Sequence, residues 1–267
     1  MSTGIQAGHY NWKLAEQYAR SFTRQALVSY VLLCFGMGLL AGLLPVALPL
    51  LALKTPNYSI SHFYYAGVHA QSVFGGVLWA EGVFLLLNQG LSWKENATLS
   101  VAGLAAISVA MNPMLDFQCP KHEGFGIHEA SAMIMFFCMA LVAIKFSRDR
   151  LDYIVSTKIR RVYSALYLAT GIMMLAMPTF IISARLMTTS ACWNWVYWVE
   201  TFGIEAFAAY WLIKTREYQM LLRLHSLRVD THLVATAPDP TVPPPKVTSR
   251  DTRDAYAHLF EGVRIEP

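Results

Sequence analysis

Residues 26–53 read ALVSYVLLCFGMGLLAGLLPVALPLLAL, without one Asp, Glu, Lys or Arg. An α-helix rises about 1.5 Å per residue and the hydrocarbon core of a bilayer is about 30 Å thick, so about 20 apolar residues suffice to cross it. This run exceeds that length. It is too long for the core of a signal peptide and no small-residue cleavage site follows it, so it predicts an uncleaved signal-anchor helix, with Pro45 and Pro49 as places to kink.

Similar runs recur along the chain, at 66–88, 97–115, 127–146, 162–185 and 192–213. The composition agrees: 55% of the 267 residues are hydrophobic and 14% are charged, against about 25% charged in an ordinary soluble domain. The mean hydropathy is +0.38. The fold class expected is all-α, a polytopic integral membrane bundle of six transmembrane helices at 26–213. An amphipathic leader (1–25) precedes it, and a basic segment with a proline-rich, largely disordered tail (214–267) follows. A second large globular domain has no residues left to build it. No phosphate-cradling glycine loop and no basic stripe speak for nucleic acid.

Orientation follows from the basic residues, because short cytoplasmic loops hold the excess of Lys and Arg. Lys13, Arg20 and Arg24 lie in the leader, Lys94 in the second connection, Arg148, Arg150, Lys158, Arg160 and Arg161 in the fourth, and Lys214, Arg216, Arg223 and Arg228 after the last span. The opposite side has Lys54, Lys121 and the terminal Arg185. Both termini are therefore expected in the cytoplasm. Trp93, Trp193, Trp195 and Trp198 fall near span ends, as interfacial aromatic belts do.

With sides assigned, the outer side collects His62, His69, Asp116, His122, Glu123, His128 and Glu129. His69, Ser72 and Gly76 share one helical stripe, as do His128 and Ser131, and small and polar stripes tend to face other helices. Neutral imidazole is the commonest protein metal ligand, and a catalytic zinc site takes three His or carboxylate ligands plus a water. His69 and His128 with Asp116, His122 or Glu200 form a candidate set, with Glu200, Ser131 and Ser72 as candidate catalytic groups. Zinc is the ion such a set implies, and a two-histidine haem site uses the same His69 and His128. Glu81, Glu200 and Glu205 lie within spans, where carboxylates are costly and mark bundle interiors or aqueous paths. Glu200 and Glu205 are five residues apart, about 140° around a helix, so they cannot share one small site. Cys119 and Cys192 both fall outside and form a candidate disulfide, whereas Cys34 and Cys138 lie in spans as small apolar residues.

The stretch Ser59-Ile60-Ser61-His62-Phe63-Tyr64-Tyr65, followed by Val73-Phe74-Gly75-Gly76-Val77-Leu78 and Gly82-Val83-Phe84-Leu85, resembles an uncharacterised family of bacterial multi-span inner-membrane proteins. That family has a Ser-Ile-Ser-x-Tyr-Tyr turn before a Val-Phe-x-Gly helix. Ile127-His128-Glu129-Ala130-Ser131-Ala132 and Trp198-Val199-Glu200 resemble its later segments. The likeness covers 57–214, departs at Gln71 where an acidic residue is expected, and implies a membrane fold in a bacterial inner membrane without an established activity. At the level of the site alone, the outer histidines and acids are similar to those of the alkaline ceramidase and progestin-type receptor superfamily. Its His-x-x-x-His pair has no counterpart in the last two spans here.

Three function classes fit these observations. The first is a non-catalytic subunit or scaffold of a membrane assembly, with leader and tail binding other membrane subunits. The second is a metal-dependent, lipid-directed hydrolase with a His/carboxylate site at the outer interface. The third is a proton-coupled transporter using the intramembrane glutamates. The expected topology is tested with a phosphatase reporter that works only outside the cytoplasm. Fused after Arg228 it should be inactive and fused at Lys121 active; the reverse pattern inverts the orientation.

Overall fold

The structure, a computed structural model, describes residues 12–52, 59–90, 92–114, 126–149, 151, 156–187 and 195–235. Among them every regular element is helical. Helix α1 runs Trp12–Ala52, α2 Val68–Leu87, α3 Trp93–Met111, α4 Ile127–Asp149, α5 Thr157–Met187 and α6 Trp195–Ala235. A 3-10 turn at Ser61–Tyr65 leads into α2, and Val142–Phe146 within α4 is π-helical. The described residues up to Leu222 form one compact unit and those from Arg223 onward a second. The proline-rich tail beyond Ala235, with Cys119, Cys192, Asp116 and His122, lies outside the described residues.

Among the described residues, four helical stretches are long and apolar enough to cross a membrane: Ser21–Ala52, Val68–Leu87, Ile127–Asp149 and Thr157–Ser183. Helix α3 falls short because its first turns carry Lys94, Glu95 and Asn96. In α6, Glu200 and Glu205 stand among weakly hydropathic Trp and Tyr. Both are nonetheless built into the bundle. Helix α3 buries Leu99, Ala102, Ala106 and Val109, and α6 buries Phe207, Tyr210 and Trp211. Local sequence sets the start of α3, where Ser92 caps the helix by accepting from the Glu95 N–H at 3.2 Å.

The helices alternate in direction. Contacts at one end join the C-terminal part of α1, the 3-10 turn, the end of α3 and the starts of α4 and α6. At the other end, Tyr30 of α1 meets Asn88 after α2, and Ser147 of α4 meets Tyr210 of α6. These are called the Ser59 end and the Lys214 end below. Between them the helices pack through glycines. A Cβ added at Gly103 of α3 would lie 2.6 Å from the Gly82 carbonyl oxygen of α2. One at Gly38 of α1 would lie 2.8 Å from Leu212 of α6, and one at Gly171 of α5 would lie 2.5 Å from Ile144 of α4. Only hydrogen fits at these crossings, which lets backbones approach as membrane helix pairs do.

Pro45 and Pro49 do not end α1, which continues to Ala52. Proline at 49 has no N–H, so the carbonyl of Pro45, four residues earlier, loses its helical donor. The buried Tyr197 hydroxyl of α6 donates to that oxygen at 2.8 Å. The proline thus creates an acceptor that a neighbouring helix fills, as membrane helices containing proline require. Removing the hydroxyl with Tyr197→Phe should cost about 1–3 kcal/mol and lower the thermal midpoint in detergent by about 2–4 °C per kcal/mol for a chain of this size. In a Pro49→Ala background the same change should cost less, because the restored amide takes the carbonyl.

Candidate functional site

The segment Ser59-Ile60-Ser61 is the junction of the Ser59 end. Ile60 is buried, and with Phe63 it packs against Leu44, Leu48, Phe74 and Val109, so the apolar side of the turn is fixed in the bundle. This leaves the flanking serines facing polar partners. Ser59 Oγ lies 3.0 and 2.8 Å from the two carboxylate oxygens of Glu200 on α6. The Ile60 N–H donates to the same carboxylate at 2.6 Å. The Ser61 N–H in turn donates to Ser59 Oγ at 3.1 Å. A half-buried glutamate inside a helical bundle is thereby given donors from a segment 140 residues earlier.

The second serine reaches another helix. Ser61 Oγ lies 3.0 Å from His128 Nε2, and His128 Nδ1 lies 2.9 Å from the carbonyl oxygen of Asn112. Asn112 is the C-cap of α3, where the last carbonyls of a helix lack intrahelical donors. A carbonyl can only accept, so Nδ1 carries the hydrogen. In the neutral ring Nε2 then has a free lone pair, into which the Ser61 hydroxyl donates. Around this line, Asn112 Nδ2 donates to the Ser108 carbonyl at 2.9 Å, Ser108 and Ser131 share a hydroxyl bond of 2.8 Å, and Tyr65 donates to the Met114 carbonyl at 2.7 Å.

The residues singled out in the sequence separate in space. His128, Ser131 and Glu200 belong to the Ser59 end. His69, Ser72 and Gly76 lie together on one stripe of α2, as their spacing predicts, but the stripe is exposed and α2 buries Ala70, Phe74, Glu81, Gly82 and Leu85 instead. The expected inward stripe is corrected on this point. Helix α2 is apolar almost all round, so spacing groups its side chains without telling which group faces in. Among the described residues, no three His, Cys, Asp or Glu side chains converge to hold a metal ion. Glu200 and Glu205 diverge as their 140° separation requires: Glu205 comes 3.7 Å from where a Cβ on Gly42 of α1 would stand. Both carboxylate oxygens of Glu81 are buried without a hydrogen-bond partner. Cys34 is buried and Cys138 half-buried within their helices.

The Lys214 end holds a second cluster that spacing did not single out. Lys214 Nζ pairs with Glu217 at 2.9 Å, and both side chains are almost fully buried. The Tyr167 hydroxyl donates to the same carboxylate. The ammonium stands 5.1 Å from the ring centres of Tyr167 and of Tyr218. An i,i+3 Lys and Glu next to Tyr218 was the available signal, but the tyrosine that completes the cage is on α5. Breaking a buried pair strands a charge and costs about 3–5 kcal/mol.

The Ser59 junction predicts a measurable coupling. Ser59→Ala and Glu200→Gln should each destabilise the bundle in detergent melts, and their double variant should fall short of additivity by about 0.5–3 kcal/mol. Additive effects would mean that the hydroxyl and the carboxylate do not act on each other. No protein-family model, no curated protein and no solved structure matches the chain.

Proposed function

We propose that the protein is a subunit of a bacterial inner-membrane assembly, a six-span bundle with both termini cytoplasmic and with its leader helix held by a neighbouring membrane subunit. Support for six spans comes from the alternation of the helices, since α3 and α6 run between the same two ends as the four more apolar helices. The distribution of basic residues supports the orientation: Lys94, Arg148, Lys158, Arg160, Arg161, Lys214 and Arg216 all belong to the Lys214 end or its connections.

One observation carries the subunit reading. Helix α1 outruns its own bundle. From residue 18 to residue 29 every described side chain is exposed, Tyr18 at 71% and Phe22 at 62%, and among the described side chains of α1 the first held by another element is that of Tyr30. A helical stretch whose described side chains are all exposed gains little from its own bundle and is marginally stable on its own. Its aromatic residues are of the kind enriched in buried protein interfaces.

Native mass spectrometry of the full chain, released from its own membranes in mild detergent, tests this. The expected mass is that of a larger assembly, and the double change Tyr18→Ala with Phe22→Ala should release a single folded copy. A single copy in both preparations, together with no crosslinks from residue 18 or 22 in intact membranes, would overturn the reading.

A further inference from the structure

The geometry points to Ser61 as a nucleophile activated by His128, in a site that hydrolyses acyl esters of membrane lipids. This goes beyond the subunit reading and does not rest on it.

Three observations carry the inference. The first is the line Ser61 Oγ, His128 Nε2, His128 Nδ1, Asn112 carbonyl, with separations of 3.0 and 2.9 Å. A hydroxyl within hydrogen-bond reach of a base, with the base oriented by a third group, is the arrangement that activates a serine. The direction of the bonds matters as much as their length. The backbone carbonyl fixes the hydrogen on Nδ1, so the lone pair of Nε2 is aimed at the serine, the tautomer a general base requires.

The second observation is that this line is held rigidly from both ends. His128 is buried in the first turn of α4, and Ser61 is fixed through its N–H to Ser59 Oγ, itself bonded to Glu200. Ser59, Glu200 and Asn112 are therefore positioning residues, while Ser61 and His128 are the reacting pair. The third is access and depth. Ser61 is half-buried, unlike its histidine, and it sits where α3 ends and α4 begins. The ends of membrane-spanning helices lie at the level of the interface, where the ester carbonyls of glycerolipids also lie. Tyr64 and Tyr65 beside it, with rings 5.1 Å apart, are residues that favour this layer.

The reaction balances with water as the only co-reactant. The Ser61 oxygen bonds to the ester carbonyl carbon as its proton passes to His128 Nε2. The imidazolium then gives that proton to the departing alcohol oxygen as the carbon–oxygen bond breaks. An acyl group remains on Ser61. A water molecule, deprotonated by Nε2, attacks the acyl carbon, the fatty acid leaves, and the proton returns to the serine oxygen.

The test is covalent labelling of the wild-type chain in lipid nanodiscs with a fluorophosphonate, followed by intact mass and peptide mapping. One adduct per chain on Ser61 is expected, lost on heat denaturation. Ser61→Ala should remove it, His128→Gln should slow it by about 10²-fold or more, and Ser183→Ala, on the exposed face of α5, should leave it unchanged. Release of labelled fatty acid from phosphatidylglycerol vesicles should follow the same order. No adduct on Ser61 in the folded wild type, or equal labelling rates in wild type and His128→Gln, overturns the nucleophile. Labelling with turnover of a water-soluble ester but none of the lipid overturns the substrate class. The assembly mass is read separately, so neither result bears on the subunit reading.

Discussion

Inside a bilayer, moving a leucine from lipid to a helix interface gains little, because the tails are as apolar as the core. The bundle is held by what lipid cannot supply, which is close backbone packing and hydrogen bonds. Both are placed accordingly. Glycines stand at the α1/α6, α2/α3 and α4/α5 crossings, where a Cβ would meet a neighbour at 2.5 to 2.8 Å. The polar side chains gather mostly at the two ends, where each helix stops and leaves carbonyls and N–H groups without partners.

The two ends solve this differently. At the Lys214 end the fastening is ionic and aromatic: a buried Lys214 to Glu217 pair is caged by Tyr167 and Tyr218, so α5 and α6 are tied by a charge that cannot be moved cheaply. At the Ser59 end a short turn joins the helices through hydroxyls, a carboxylate and one imidazole. The proline pair in α1 fits the same scheme, since the carbonyl freed by Pro49 is filled by Tyr197 of α6. Glu81 is one exception among the described residues. It is buried on α2 with both oxygens unpartnered, away from either fastening.

The all-helical, membrane-compatible character was readable from composition, because membrane insertion depends on summed hydropathy. The run at 26–53 and three others reappear in the four most apolar helices. The interior was less readable, for reasons that differ by element. In α2 the surroundings are apolar on every side, so no period distinguished the buried Phe74 and Leu85 from the exposed His69 and Ser72. His128 and Glu200 were visible as unusual residues, but their partners Ser61 and Ser59 sit 67 and 141 residues away, and no spacing rule reaches that far. The last span was expected to end at residue 213, ahead of a basic segment and tail. The helix continues to Ala235, through a stretch in which Leu227, Leu233 and Val234 keep the sequence partly apolar and no proline or glycine intervenes.

The Ser59-Ile60-Ser61 turn joins stability and chemistry in one place. Its alternation puts Ile60 into the apolar core and a serine on either side of it, one bonded to α6 and the other to α4. A shift of one residue would take Ile60 out of the core and both hydroxyls away from their partners. The Ser59 bond to Glu200 therefore sets the position of Ser61 relative to His128, through the Ser61 N–H that rests on Ser59 Oγ. At this end of the bundle the three-residue link ties α6 to α4, as the Ser147 to Tyr210 bond does at the other. The rigidity that keeps the bundle in register is the same rigidity that holds the Ser61 oxygen in line with an imidazole lone pair.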